Sequence, residues 1–275
     1  MDVRSEVLKL LASPDVDARF AQSYLPSTIQ TRVGGSMTQA WEVLWGMTAD
    51  GLIYLDPNGQ GSSTDNWRWR LSERGRAAAT GGPWEPRDPE GYLTRLRHQI
   101  PDLDPVALRY VQEALGAFNA RCFLASSVML GVASEQVFIG LANSVVAAFD
   151  SVPDLGGTAD KLKQALNNPK QSQHTRFLEL RKRLEPLRPK LPDDLGDNLT
   201  MDAVADLLRV TRNDAGHPTG RDVDENTAYT HLQMAARYLE KMTALKHHFE
   251  TLTANAIGTS SSSAGAGPVA STPTV

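Results

Sequence analysis

Apolar residues recur every three to four positions along most of this chain, and period-two alternation is clearest in one short stretch near the N-terminus. Val3, Val7, Leu10 and Leu11 share one helical face, and residues 23–35 read as a turn with a short helix. Residues 36–53 give the clearest helix of this half. Ser36 or Thr38 can cap it, and Trp41, Leu44, Trp45 and Leu52 supply its apolar contacts. Residues 52–59 read as a strand running into a turn. Residues 66–77 then alternate like a strand, with Trp67, Trp69 and Leu71 on one face and Arg68 and Arg70 on the other.

Beyond residue 80 the pattern changes. Gly and Pro crowd residues 80–91, which read as a linker that a short helix within 92–105 can extend. Asp104 is placed to cap a helix carrying Val106, Leu108, Val111 and Leu115. The longest apolar segment runs from about Asn119 to Phe149, apolar all round, as a central bundle helix would be. Amphipathic helices follow at 159–168 and 174–187. A further helix at about 200–215 has Asn198 or Thr200 as cap and Val204, Leu207, Leu208, Thr211 and Ala215 as its stripe. Gly216 and Pro218 end it, and residues 225–249 form the last helix. The organisation expected is a small α/β domain at 1–80, a linker at 81–103, an all-α domain at 104–253 and a low-complexity, disordered tail at 254–275.

Composition narrows the function classes. The chain of 275 residues is 41% hydrophobic and 22% charged, enough apolar material for a sizeable core. A net charge of −4 gives no global basic field, so any nucleic-acid contact must come from local patches. Arg68, Arg70, Arg74 and Arg76 form one such patch, or else a solvated strand face followed by a short helix start. Arg181 and Arg183 belong to a second, at 176–190, which is either a solvated face or a track for an RNA backbone. Cys122 is the only cysteine, which excludes a disulfide framework and a Cys-rich zinc site; among apolar neighbours it reads as a buried thiol. No signal-peptide core opens the sequence, and Ser, Gly, Glu, Gln and Asn break the apolar run at 122–149. The expectation is a cytoplasmic protein with no membrane partner, no cofactor and no metal.

The candidate chemistry lies in LLRVTRNDAGHPTG, residues 207–220. His217 can move a proton near neutral pH, and Arg212 can hold a phosphate through a planar fork of donors while keeping its charge. At about 100° per residue, Arg212, Asn213 and His217 fall away from the apolar stripe, with Arg212 and His217 about 140° apart. They can meet through the length of the arginine, through unwinding at Gly216, or across a subunit interface. Taken alone, the spacing equally describes a capped helix end.

RNDAGH resembles the signature of the HEPN superfamily: an arginine, a polar residue, and a histidine after four to six intervening positions. The flanks are similar too, with 120–138 resembling the second helix of such domains and 217–242 their post-motif loop and final helix. Residues 1–80 resemble, less specifically, winged helix-turn-helix domains, with LSERGRA as the segment that closes the wing. These resemblances imply a mainly α protein: a HEPN-like helical bundle behind a winged-helix-like domain. They imply a homodimer whose paired motifs form one cleft, and a metal-independent endoribonuclease of the toxin or phage-defence kind acting on RNA. Arg212, Asn213 and His217 would be catalytic. Glu135 would pair with Arg212 or line the site, or else face water at a rim. The N-terminal domain would take DNA, dock a regulatory protein or position RNA. The alternatives are a non-catalytic dimerisation module on a DNA-binding regulator, and a restrained subunit of a defence or toxin–antitoxin complex.

Overall fold

The computed structural model describes residues 3–14, 24–57, 63, 67–82, 84–152, 155, 159–192 and 222–263. These residues are mainly helical, with one two-stranded antiparallel sheet. The chain divides into two compact units. Unit 1 comprises Met1–Pro101, Val111–Met129 and Asp222–Ala236; unit 2 comprises Asp102–Tyr110, Leu130–Arg221 and Arg237–Val275.

Unit 1 opens with α1 (Val3–Ala12), α2 (Leu25–Val33) and α3 (Met37–Ala49). Ser36 starts α3 through a capping box: its hydroxyl accepts from the Gln39 amide, and the Gln39 side chain accepts from the Ser36 amide. β1 (Ile53–Leu55) and β2 (Trp69–Leu71) pair in the register Ile53–Leu71, Tyr54–Arg70, Leu55–Trp69. Alternation turns Ile53, Trp69 and Leu71 into a core shared with Val7, Leu25, Ile29, Leu44 and Met47, and leaves Tyr54 and Arg70 exposed.

The strand expected over 66–77 is shorter, because the chain turns helical at α4 (Glu73–Thr80). Ser72 is the switch. Its hydroxyl accepts from the Gly75 amide at 2.9 Å and donates to the Gly51 carbonyl at 2.6 Å, tying the first turn of α4 to the chain before β1. Gly75 permits that closeness: a Cβ there would lie 1.9 Å from the Leu52 carbonyl oxygen.

The stretch expected as a linker is packed structure. It contains α5 (Pro89–Gln99), which begins with a proline, and Glu85, Asp88, Tyr92, Leu93 and Leu96 are buried. Asp88 caps α5 by accepting from the Gly91 amide at 3.2 Å, and its carboxylate also accepts from Arg4 Nε at 2.8 Å. A side chain at position 91 would collide with that carboxylate, its Cβ 2.1 Å from Asp88 Oδ2. The composition that signalled a spacer therefore serves a cap. The unit is completed by Val111–Met129 and Asp222–Ala236, where the buried Tyr92 hydroxyl donates to the Leu232 carbonyl at 2.7 Å.

Three helices supply residues to both units: α6 (Pro105–Asn119), α7 (Phe123–Ser151) and α10 (Glu225–Ser263). Unit 2 adds α8 (Asp160–Asn167), α9 (Gln173–Leu184) and a 3-10 turn at Glu185–Lys190. Asp104 caps α6 as expected, accepting from the amides of Val106 at 2.8 Å and Ala107 at 3.0 Å. The core of unit 2 is aliphatic and phenyl. Phe138, Leu141, Val145, Leu162, Phe177, Leu245 and Phe249 are fully or almost fully buried, and the Phe138 and Phe177 rings sit 6.1 Å apart. By length and composition α7 alone among the described helices could cross a membrane, and half of that window is buried inside the fold. α10 runs to Ser263, so the expected tail boundary at 254 falls inside a helix.

Candidate functional site

Arg212, Asn213 and His217, with the helix expected at 200–215, lie outside the described residues. Glu135 is half-buried on α7; Arg212, its partner in one of the three readings, is among the residues not described. Arg181 and Arg183 are both half-buried on α9, with Lys182 exposed between them.

The expected basic patch of the N-terminal region is divided by the helical turn at Ser72. Arg68 and Arg70 are exposed along the strand, and Arg70 Nε donates to Asp56 Oδ2 at 3.0 Å. Arg76 is exposed on α4 and donates to the Leu71 carbonyl at 3.0 Å. Arg74, half-buried, instead reaches the Arg87 carbonyl at 3.0 Å and the Asn119 side-chain oxygen. α3, which a winged-helix reading makes the recognition helix, carries no lysine or arginine. Its exposed side chains include Glu42 and Trp45. Trp45 packs edge-on to Trp67 and Trp69 at 6.2 and 5.7 Å, so this surface is aromatic. Cys122, expected buried, is exposed because the chain turns over residues 120–122 between α6 and α7.

What the described residues do assemble is a cavity of about 590 Å³ in unit 1, lined among others by Arg74, Arg87, Asn119, Arg121, Phe123 and Glu225. It is built from the start of α4, the packed stretch before α5, the turn between α6 and α7, and the start of α10. Arg121 holds that turn with φ of 62°, a left-handed conformation that a side chain disfavours. Its guanidinium has no hydrogen bond or ion pair among the described residues.

The floor around Arg87 is a charged network. Arg87 Nη2 donates to Glu225 Oε1 at 2.9 Å and Nη1 to Glu85 Oε1 at 3.3 Å, and its guanidinium lies 4.8 Å from the Tyr229 ring centre. Glu85, 1% exposed, also accepts from the Tyr229 hydroxyl at 2.8 Å, and that hydroxyl accepts from Gln233 Nε2 at 2.8 Å. Burial and the Glu85 carboxylate push the Tyr229 hydroxyl up to about 12, so it stays a donor at neutral pH. Burial alone would lower Arg87, but the bond to Glu225 and the charges of Glu85 and Glu225 raise it. For Arg74 burial prevails, and the nearby Arg87 charge lowers it further. Chemically the cavity offers guanidinium donors beside a phenyl surface, where Phe118 packs against Phe123 at 5.6 Å and Tyr229 at 6.3 Å.

The sequence reading assigned no role to Arg87, Asn119 or Arg121. Each is separated from Arg74 by a fold of the chain, and no spacing in the sequence joins them. In comparisons with known proteins, the chain matches no family model, no curated protein and no solved structure.

Proposed function

We propose that this chain is a metal-independent endoribonuclease of HEPN type, acting as a toxin or phage-defence effector. The observation that carries the reading is the sequence Arg212-Asn213-x3-His217 between a long apolar helix and a long final helix. The scarcity of base-reading side chains on α3 favours it over a DNA-binding regulator, because direct readout of base edges relies heavily on arginine and lysine.

In this mechanism the RNA 2′-hydroxyl attacks the adjacent phosphorus. His217 takes the hydroxyl proton or donates one to the departing 5′-oxygen. Arg212 stabilises the added negative charge of the phosphorane-like transition state, and Asn213 orients the phosphate or the imidazole. The products are a 2′,3′-cyclic phosphate and a 5′-hydroxyl. DNA resists for want of the 2′-hydroxyl. Two subunits facing each other would let one arginine serve the other's histidine.

The test is RNA cleavage by purified protein in EDTA beside Arg212→Ala and His217→Ala. The reading expects each variant to lose about a hundredfold or more in rate. Cleavage that survives both substitutions would remove the assignment.

A further inference from the structure

The cavity in unit 1 has a charge and shape that the ribonuclease reading does not use. We propose that it binds a mononucleotide-class ligand, with the phosphate held by Arg121 and Arg74 and the flat base lying against Phe123. Arg74, Arg87 and Arg121 all line one cavity, with two carboxylates among its lining residues. The Glu225 carboxylate is already met by Arg87 at 2.9 Å. Glu73 is exposed, so solvent screens its charge, and its oxygens suit the hydroxyls of a ribose.

Arg121 is the decisive group. It is the one lining arginine with no hydrogen bond or ion pair among the described residues, whereas Arg74 and Arg87 are fixed by protein partners. A planar fork of donors left unmatched in a cavity that a second arginine also lines is suited to a phosphate. Phe118 is 3% exposed and backs Phe123, which is half-exposed and presents an aromatic surface to the cavity. At about 590 Å³ the cavity has room for a nucleoside monophosphate. This inference is independent of RNA cleavage and stands or falls separately.

The experiment is calorimetric titration of the full chain with the four common ribonucleoside 5′-monophosphates, adenosine and inorganic phosphate. At least one nucleotide should bind with a Kd below about a millimolar, and adenosine and phosphate should each bind about tenfold weaker or worse. Arg121→Gly is the variant of choice, because glycine accepts the left-handed backbone at this position while removing the guanidinium. It should weaken nucleotide binding about tenfold or more and leave the ligand-free Tm unchanged or higher. No binding by any nucleotide, or equal affinity in Arg121→Gly, overturns the site. Phosphate binding as tightly as the nucleotides overturns the base-stacking half and leaves an adventitious ion only.

Discussion

Unit 1 buries a network of paired charges, and unit 2 buries chiefly carbon, with Lys241 the buried charged side chain among its described residues. In unit 1 the nearly buried Arg4 side chain bridges Asp88 at 2.8 Å and Asp50 at 2.5 Å, and the buried Glu85 joins Arg87 to Tyr229. All five tryptophans of the chain are in this unit as well. In unit 2 the buried hydroxyls of Ser134 and Tyr238 return to backbone: Ser134 donates to the Leu130 carbonyl at 2.9 Å and Tyr238 to the Ser134 carbonyl at 3.0 Å. The difference teaches where specificity resides. Directional ion pairs fix particular side chains around a cavity in unit 1, whereas helix packing in unit 2 fixes mainly the spacing of its elements.

The sharpest way to break that contrast is Asp88→Ala. It removes the cap of α5 and leaves Arg4 without its more deeply buried partner. The expected loss is about 3–5 kcal/mol, read by urea unfolding followed through tryptophan emission. A loss under about 1 kcal/mol would mean that the ion pair does not organise unit 1. Next comes Leu141→Ala in the core of unit 2, where the removed side chain is fully buried. It should cost about 3 kcal/mol by circular dichroism, with the native tryptophan spectrum unchanged because every tryptophan belongs to unit 1.

The smallest effect concerns Asp104, the cap of α6. Burial alone would raise its carboxyl, but the amides of Ala107 and Val106 and the Gln136 side chain hold it below the usual range. A depressed native value means that the carboxylate stabilises the fold above its unfolded pKa of about 3.9 and that this contribution is lost as pH falls through the native value. Acid titration of stability should therefore be less steep below about pH 4 in Asp104→Asn than in the parent chain. Identical slopes would show that the cap carries no net charge effect.

Local rules made much of the fold legible. Ser36 and Asp104 were readable as caps because side-chain capping is a contact within one turn. The periodicity of α1, α3, α8 and α9 marked those helices for the same reason. The failures share a cause of opposite kind. Residues 80–91 looked like a linker because their prolines and glycines break structure in isolation. Only the long-range bonds of Asp88 to Arg4 and of Tyr229 to Glu85 show why that chain is packed. Trp67, Arg68 and Trp69 alternated as a strand should, and a short helix start was the alternative beyond them, yet nothing in the sequence joined Arg74 to Asn119. Cys122 looked buried from its apolar neighbours, but the left-handed turn at Arg121 sets it outside. Of the two candidate sites, the RNDAGH motif is legible because it is local, whereas the cavity needs five separated segments and is visible only in the fold.

The most direct test of the proposed activity uses one RNA and a copy carrying a single 2′-deoxynucleotide on the 5′ side of the cleaved bond, both incubated with the full chain in EDTA. The account predicts fragments ending in a 2′,3′-cyclic phosphate and a 5′-hydroxyl, no cut at the deoxy position, and no cut by His217→Ala. Cleavage at the deoxy position, 5′-phosphate ends, or RNA left intact by the purified chain and in cell extract alike would contradict it.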